Sequence, residues 1–415
     1  MGDVPDRPTV SDVVPPRSVV VVGAGLAGAG LVAALRAGGF DGRLTVLGAE
    51  GLPPYDRPPL SKELLSRTEP LWLADDLGLD LAGADEVRLA EPAVDLVPAG
   101  NAWTVRTAHD EVSADVVVLA TGASAVVPTG WERAATLHTA ADAAVLRALL
   151  VPGSRLVVVG AGWIGAEVAG VAAAAGVQVT VVEAAGSPLS TALGPEVGAL
   201  TESWYAAAGV RLLTGALVVR VGADAVELAD GEVLHADVVL AAVGARPASD
   251  WSDALPVAAD GSVLVDAGYR ALGGPPGLVA VGDVARRRSP RHGWVPGGHW
   301  DGALRGPAIA VRALLEGSEG LDDPAPYVFS TQLGHELTLY GQPSRDDDVV
   351  LRGDPTAGFG ALWFHPGTDV LTAALAVDSP RDVSAARRLF DGVALPRLDR
   401  AVAADAGRSL RDARR

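Results

Sequence analysis

The sequence predicts an α/β protein: two copies of a strand–turn–helix–strand unit, followed by a small α+β domain. Three observations carry that reading. Val19-Val-Val-Val22 is a β-branched run too short for a helix, and it leads into Gly23, Gly25 and Gly28 and an alanine-rich helical stretch through Arg36. The pattern returns at Arg155-Leu-Val-Val-Val-Gly160 with Gly162 and Gly165, an offset of 137 residues between Gly23 and Gly160. From Tyr327 onward the chain changes to repeated short strands and one amphipathic helix near Arg381 to Phe390, the pattern of an antiparallel sheet with a helix.

The glycine spacing has a physical reason. Gly23 permits a tight turn, Gly25 lets backbone approach a pyrophosphate, and Gly28 lets helix and strand pack closely. An anion then sits at the helix N-terminus, where free N–H groups and the helix dipole favour it. An acid is expected roughly 20 residues on, at the end of the second strand, for a ribose hydroxyl. Arg43-Leu-Thr-Val-Leu-Gly-Ala-Glu50 supplies that strand and acid, and Val177-Gln-Val-Thr-Val-Val-Glu183 does so for the second copy. The chain therefore reads as two Rossmann-like units holding two dinucleotides. Glu183 accepts from a ribose 2′-hydroxyl and repels a 2′-phosphate, and the next basic residue is Arg211, so NAD is favoured over NADP.

Composition bounds the rest. A chain of 415 residues with 49 % hydrophobic content has room for two or three domains. It holds no apolar run of membrane-spanning length. Residues 1–16, acidic and proline-bearing, are expected as a disordered leader unlike a signal peptide, which points to the cytoplasm. A net charge of −18 argues against nucleic acid as a partner. The chain has no cysteine, which excludes disulfides, thiolate metal sites and a redox-active cysteine pair, and no metal is expected. Of the 33 basic residues only Lys62 is a lysine, which marks it as a candidate for a task needing a compact ammonium.

Further elements follow in order. Four prolines stiffen the path from Gly51 to Lys62, and Ser61 is placed to cap a short helix holding Lys62. Residues 86 to 119 alternate as strands and end in Ala120-Thr121-Gly122, a close-approach glycine at the carboxyl end of a buried strand. Strands are read at Arg211-Leu-Leu, Leu217-Val-Val and Ala236 to Pro247, the last closing with Gly244. Gly277-Leu-Val-Ala-Val-Gly282-Asp283 is another buried strand, and residues 299 to 316 read as a helix starting near His299-Trp300. The third domain's strands are read at Phe329 to Tyr340, Asp348 to Arg352, Gly360 to Phe364 and Val370 to Val377.

Taken together, these motifs resemble the FAD- and NADH-dependent ferredoxin reductases of oxygenase electron-transfer chains, with rubredoxin and putidaredoxin reductases and the apoptosis-inducing-factor flavoproteins as wider relatives. The resemblance spans roughly residues 17 to 395. It rests on the first fingerprint, Pro54-Tyr-Asp-Arg-Pro-Pro-Leu-Ser-Lys62, Ala120-Thr-Gly122, the second fingerprint with Glu167, Gly244-Ala-Arg-Pro247 and Val281-Gly-Asp283.

The resemblance implies an FAD domain over 17–130 and 251–325, with an NAD domain over 131–250 inserted in it. A C-terminal α+β domain over 326–397 and an Arg-rich tail over 398–415 complete the expectation. It implies FAD on Gly23, Gly25, Leu26, Ala27, Gly28, Glu50, Arg57, Lys62, Ala120, Thr121, Gly122, His138, Gly282, Asp283, His299, Trp300 and Phe329. NADH falls on Gly160, Gly162, Trp163, Ile164, Gly165, Glu167, Glu183 and Gly244. Within this set Asp283 meets the ribitol, the helix starting near Trp300 aims at the flavin pyrimidine edge, and Lys62 pairs with Glu167 beside the ring. NADH then gives a hydride to the flavin, which passes electrons singly to a ferredoxin-type iron–sulfur partner. Arg286, Arg287, Arg288 and Arg291 form the candidate docking patch of a monomer or homodimer.

The chain departs from the family pattern at Phe329-Ser-Thr-Gln332, where Trp-Ser-Asp-Gln is usual, at Gly298, where a glutamate is usual, and at His138, where an arginine is usual. These departures leave two other readings open: a redox-sensing flavoprotein without ferredoxin reductase activity, and an oxidoreductase acting on a small molecule.

Overall fold

The structure is a computed structural model that describes residues 15–415 apart from residues 101 and 223. All but the last two positions of the expected leader, residues 1–16, lie outside the described residues. The first sheet has five parallel strands, in spatial order Leu278–Ala280, Val116–Leu119, Ser18–Val22, Arg43–Leu47 and Glu86–Arg88. Val19, Val20, Val21 and Val22 are each at most 4 % exposed, as strands covered on both faces require. Each such side chain contributes about 1.5–3 kcal/mol of burial. Helix Leu26–Ala37 returns the chain between the first two strands and packs on helix Trp300–Glu316, where Gly30 admits Pro307.

The second sheet repeats the first in four parallel strands: Arg211–Leu213, Gln178–Val182, Arg155–Val159 and Val238–Ala241. The sequence repeat is a repeat of backbone. Gly23 N–H donates to Leu47 carbonyl at 2.8 Å, and Gly160 N–H donates to Val182 carbonyl at 2.7 Å. Both glycines have positive φ, +119° and +106°, and a Cβ on either would lie within 2.4 Å of a backbone atom. Only glycine fits. The chain leaves the first unit and re-enters it through one antiparallel pair, Ala123–Ala125 with Ala245–Pro247. The second unit is therefore inserted in the first.

A five-stranded antiparallel sheet forms the C-terminal part, in spatial order Tyr327–Gln332, His335–Gly341, Leu371–Val377, Gly358–Phe364 and Asp348–Asp354. Its side chains alternate between two cores. Leu337, Leu339, Trp363 and Leu375 face Leu189, Leu193 and Trp204 of the second unit, while Leu362, Phe364 and Ala374 face helix Pro380–Phe390.

Two expectations are corrected here. The segment read as one strand from Phe329 to Tyr340 is a hairpin, because Leu333 and Gly334 both take positive φ and reverse the chain. The expected tail over 398–415 is folded: Leu398, Ala403, Leu410 and Ala413 are buried in the core under Phe390. Buried Arg352 holds it by donating to the carbonyls of Ala403 at 3.0 Å, Asp405 at 2.6 Å and Arg408 at 2.6 Å. Counting arginines concealed the four apolar positions between them.

Candidate active site

The carboxyl ends of both parallel sheets open into one cavity of about 1250 Å³. Both glycine turns line it, through Gly23, Gly25, Leu26 and Ala27 on one side and Gly160, Gly162, Trp163 and Ile164 on the other. Glu50, Arg57, Lys62, Ala120, Thr121, Gly122, His138, Glu167, Glu183, Gly244, Gly282, Asp283, Gly298, His299, Trp300 and Phe329 complete the sequence-derived part of the wall. Gly28 and Gly165 do not reach it. A Cβ at either would stand 2.0–2.1 Å from the carbonyl oxygen of Gly23 or Gly160, so they serve the packing under each turn.

The wall suits phosphate-bearing dinucleotides for a reason that side-chain charge alone would not suggest. Among the described residues its carboxylates are Glu50, Asp56, Glu167, Glu183 and Asp283, against the cations Arg57 and Lys62. Those cations are engaged: Arg57 donates to Glu50 at 2.6 Å and to the His138 carbonyl, and Lys62 donates to Glu167. Phosphates must instead be met by backbone. Helices Leu26–Ala37, Trp163–Ala174 and Trp300–Glu316 all start at the cavity, and none of their N-caps (Gly25, Gly162 and His299) supplies a capping side chain. Three sets of free N–H donors with positive dipole ends thus face the space. A Cβ at Gly25 or Gly162 would meet nothing within 4 Å, so open space reaches the backbone at both turns. The residues present fit FAD and a nicotinamide dinucleotide.

The two acids at the strand ends differ. Glu183 accepts N–H bonds from Ala161 and Ala185, both at 2.7 Å, which fix its carboxylate across the second glycine turn. Glu50 is held by the Tyr55 hydroxyl and by Arg57. Burial first, with the Glu50 hydrogen bond adding to it against Arg57, pushes the Tyr55 phenol up to about 12. Tyr55 also accepts from Ala140 N–H at 3.1 Å and so ties the first strand-end acid to the helix Ala140–Leu149. Burial holds the His138 and His299 imidazoles below the usual histidine range, so both are neutral at pH 7.

The junction of the two units in the cavity is built on Lys62. Pro58 and Pro59 start the short helix Pro59–Lys62, so Ser61 lies inside it and is not its N-cap as the sequence suggested. Its hydroxyl is thereby free to donate to Glu167 Oε2 at 2.5 Å. Lys62 donates to Glu167 Oε1, with the two side chains 18 % and 6 % exposed. Ser330, on the first strand of the C-terminal hairpin, donates to the same Oε1 at 2.5 Å. Lys62 Nζ also lies 5.2 Å from the Phe329 ring centre, inside cation–π range. Trp300 stands edge-on to Phe329 at 6.0 Å, and its indole N–H donates at 2.7 Å to Asp56, whose carboxyl burial pushes up. Sequence reasoning missed Ser61 as a donor, and Tyr55, Asp56 and Ser330 altogether. Each lies in or beside a motif quoted above, so position within a motif was the signal.

The basic patch is a correction. Strand alternation in Ala285–Ser289 turns Arg287 inward, where it is 4 % exposed and ion-paired with Asp323 at 2.8 Å. Arg291 donates to the carbonyls of Phe390 and Gly392, and Arg286 pairs with Asp260 at 3.4 Å. Only Arg288 of the four is both exposed and free of a partner among the described residues. Arg291 ties this segment to the C-terminal domain, Arg286 and Arg287 are taken up by Asp260 and Asp323, and one exposed arginine of the four is left without a partner among the described residues.

Comparison with known proteins agrees with this architecture. The model of the pyridine nucleotide-disulphide oxidoreductase family matches residues 17–313, and that of the reductase C-terminal domain matches residues 327–414. The chain is 34 % identical over 391 residues to the ferredoxin–NAD(+) reductase component of the anthranilate 1,2-dioxygenase system of Burkholderia cepacia, covering 91 % of this chain and 95 % of that one. It is 33 % identical over 409 residues to the corresponding component of the biphenyl dioxygenase system of Paraburkholderia xenovorans, covering 95 % and 98 %. A solved covalent putidaredoxin reductase–putidaredoxin complex superposes with a TM-score of 0.84 at 27 % identity, covering 95 % of this chain and 97 % of that one. Family models spanning nearly the whole chain and relatives a third identical along it lead to one conclusion: the chain belongs to the pyridine nucleotide-disulphide oxidoreductase family, among its ferredoxin–NAD(+) reductases.

Proposed function

We propose that this protein is a cytoplasmic FAD-dependent reductase that takes a hydride from NADH and supplies electrons singly to a ferredoxin-type iron–sulfur protein. The observation that carries the reading is the continuity of the cavity. Two glycine turns open into one space, and Lys62 and Glu167, one from each unit, meet between them. FAD, when bound, accepts the hydride and releases electrons one at a time; the chain supplies position and electrostatics. The turn at Gly23–Gly28 and helix Leu26–Ala37 would hold the FAD pyrophosphate, with Glu50 for its ribose and Asp283 for the ribitol. The turn at Gly160–Gly165, with Glu183 on the ribose, holds NADH. Phe329 would offer its ring to the nicotinamide, and the N-terminus of helix Trp300–Glu316 would favour negative charge on the flavin by roughly 0.3–2 kcal/mol. Among the described residues no helix is long and apolar enough to cross a membrane.

With no cysteine in the chain, electrons cannot pass through a disulfide despite the family's name. The test is an anaerobic NADH titration followed by turnover with cytochrome c and a ferredoxin. Bleaching of the flavin absorbance together with ferredoxin-dependent turnover is expected. Bleaching without partner-dependent turnover overturns the electron-transfer reading, and turnover of a small molecule without any protein partner replaces it.

A further inference from the structure

We propose that Ser330, oriented by Gln332, is a positioning residue for the Lys62–Glu167 pair, so that the C-terminal domain is a working part of the hydride-transfer site. The proposal rests on the reading above and adds a residue pair to it. Ser330 is 1 % exposed and Gln332 is 2 % exposed, on the same face of strand Tyr327–Gln332. Buried polar groups of this kind must find partners. Gln332 Nε2 donates to Ser330 Oγ at 3.0 Å, and Ser330 Oγ lies 2.5 Å from Glu167 Oε1. An amide nitrogen only donates, so the serine oxygen is occupied as acceptor and its own proton is directed at the carboxylate.

Glu167 thus has both oxygens fixed from outside its own helix. Ser61 of the first unit takes Oε2, while Lys62 of the first unit and Ser330 of the C-terminal domain share Oε1. Three parts of the chain meet on one carboxylate, and a hydroxyl on Oε1 limits the positions that Lys62 can adopt. The hairpin is also pressed against the helix that bears Glu167: a Cβ at Gly170 would stand 2.9 Å from Leu333 N. Ser330 is therefore anchored relative to Glu167 by packing as well as by hydrogen bonds. Phe329 and Ser330, adjacent on one strand, divide the labour between them, the first facing the cavity and the second the carboxylate.

The experiment compares Ser330→Ala, Ser330→Thr, Glu167→Gln and the double variant Ser330→Ala/Glu167→Gln, each loaded with FAD. Ser330→Ala should lower the limiting rate of anaerobic flavin reduction about tenfold, change NADH affinity less than twofold, and shift the absorption maximum of the oxidised flavin as the nearby charges move. Ser330→Thr keeps the hydroxyl and should restore both rate and spectrum. In the Glu167→Gln background, Ser330→Ala should cause no further loss, because its action passes through that carboxylate. A Ser330→Ala protein with wild-type rate and spectrum overturns the proposal. So does a loss that persists undiminished in the Glu167→Gln background, which marks a merely structural role. Failure of the wild-type protein to be reduced by NADH would instead overturn the functional reading beneath it.

Discussion

Lys62 and Glu167 should behave as one unit, and a double-mutant cycle measures this. Lys62→Met removes the cation but leaves the Glu167 side chain, 6 % exposed, as a buried charge with only Ser61 and Ser330 donating to it. Breaking a buried pair in this way costs about 3–5 kcal/mol when water is fully excluded. Here the cavity opens beside Lys62, itself 18 % exposed, which lowers that stability cost; separately, a hundredfold loss in the rate of flavin reduction is expected, equivalent to about 2.7 kcal/mol of transition-state stabilisation. Glu167→Gln keeps an oxygen for its donors and removes the charge, and should cost about tenfold. The double variant should be no slower than Lys62→Met alone, since the stranded carboxylate has gone with its partner. FAD content should stay at the wild-type level in all three, because on the proposed reading the pyrophosphate is met by the backbone of the first turn and not by these side chains. The assay is anaerobic stopped-flow reduction by NADH, read at the flavin band. Strict additivity of the two losses, or Lys62→Met reduced at the wild-type rate, refutes the argument.

Three further outcomes are expected. Gly162→Ala should raise the KM for NADH about tenfold or more while leaving thermal stability and FAD content unchanged, because the added Cβ meets no protein atom and projects into the open space beside the turn; an unchanged KM removes that turn from the NADH site. NADH should be preferred to NADPH, since Glu183 is fixed by two backbone donors at the second strand end and would repel a 2′-phosphate; steady-state kinetics showing NADPH as the better donor would reverse that reading. His292→Phe should flatten the loss of stability in acid. Burial first, and Arg291 second, push the His292 imidazole down to about 4 from 6.5, so between these pH values the unfolded chain binds a proton that the fold refuses, and stability falls as pH falls. The effect is up to about 3 kcal/mol at 1.36 kcal/mol per pH unit. Melting curves at neutral pH and near pH 4.5 that fall equally in wild type and variant would count against it.

How far the sequence carried depends on whether a feature is local. The two glycine turns were legible because each glycine is demanded by backbone within its own unit: Gly28 by the Gly23 carbonyl, Gly165 by the Gly160 carbonyl. The insertion of one unit in the other came from family resemblance, since the pairing of Ala123–Ala125 with Ala245–Pro247 joins segments too far apart for a pattern to show. The arginine cluster misled for the opposite reason. Nearness in sequence resembled nearness on a surface, but a strand sends successive side chains to opposite faces, and Arg287 was turned inward. The hairpin turn was lost because Leu333 occupies a left-handed position without being a residue that advertises one. Ser61 and Ser330 were hidden because their partner, Glu167, is over a hundred positions from either.

That last case bears on how such a protein can change its chemistry. The two nucleotide units share one backbone solution, so the turns and strand ends do not by themselves distinguish a hydride acceptor from a hydride donor site. The distinction arises where the copies face each other, at a lysine carried by a proline-stiffened loop of one and a glutamate on the first helix of the other. Neither side chain would be held without help from outside its unit: Ser61 comes from the loop, and Ser330 from a sheet that belongs to neither fingerprint. A duplicated fold thus supplies two equivalent clefts, and asymmetry is added by a third domain that packs on the two units differently: on the second through Trp204, Leu189 and Leu193, and on the first through Trp300 and Arg291. The departure at Phe329 lies against Lys62, that at Gly298 lies elsewhere on the cavity wall where its N–H donates to Asp283, and the Lys62–Glu167 contact is intact beside both, so they alter what surrounds the pair and not the pair itself.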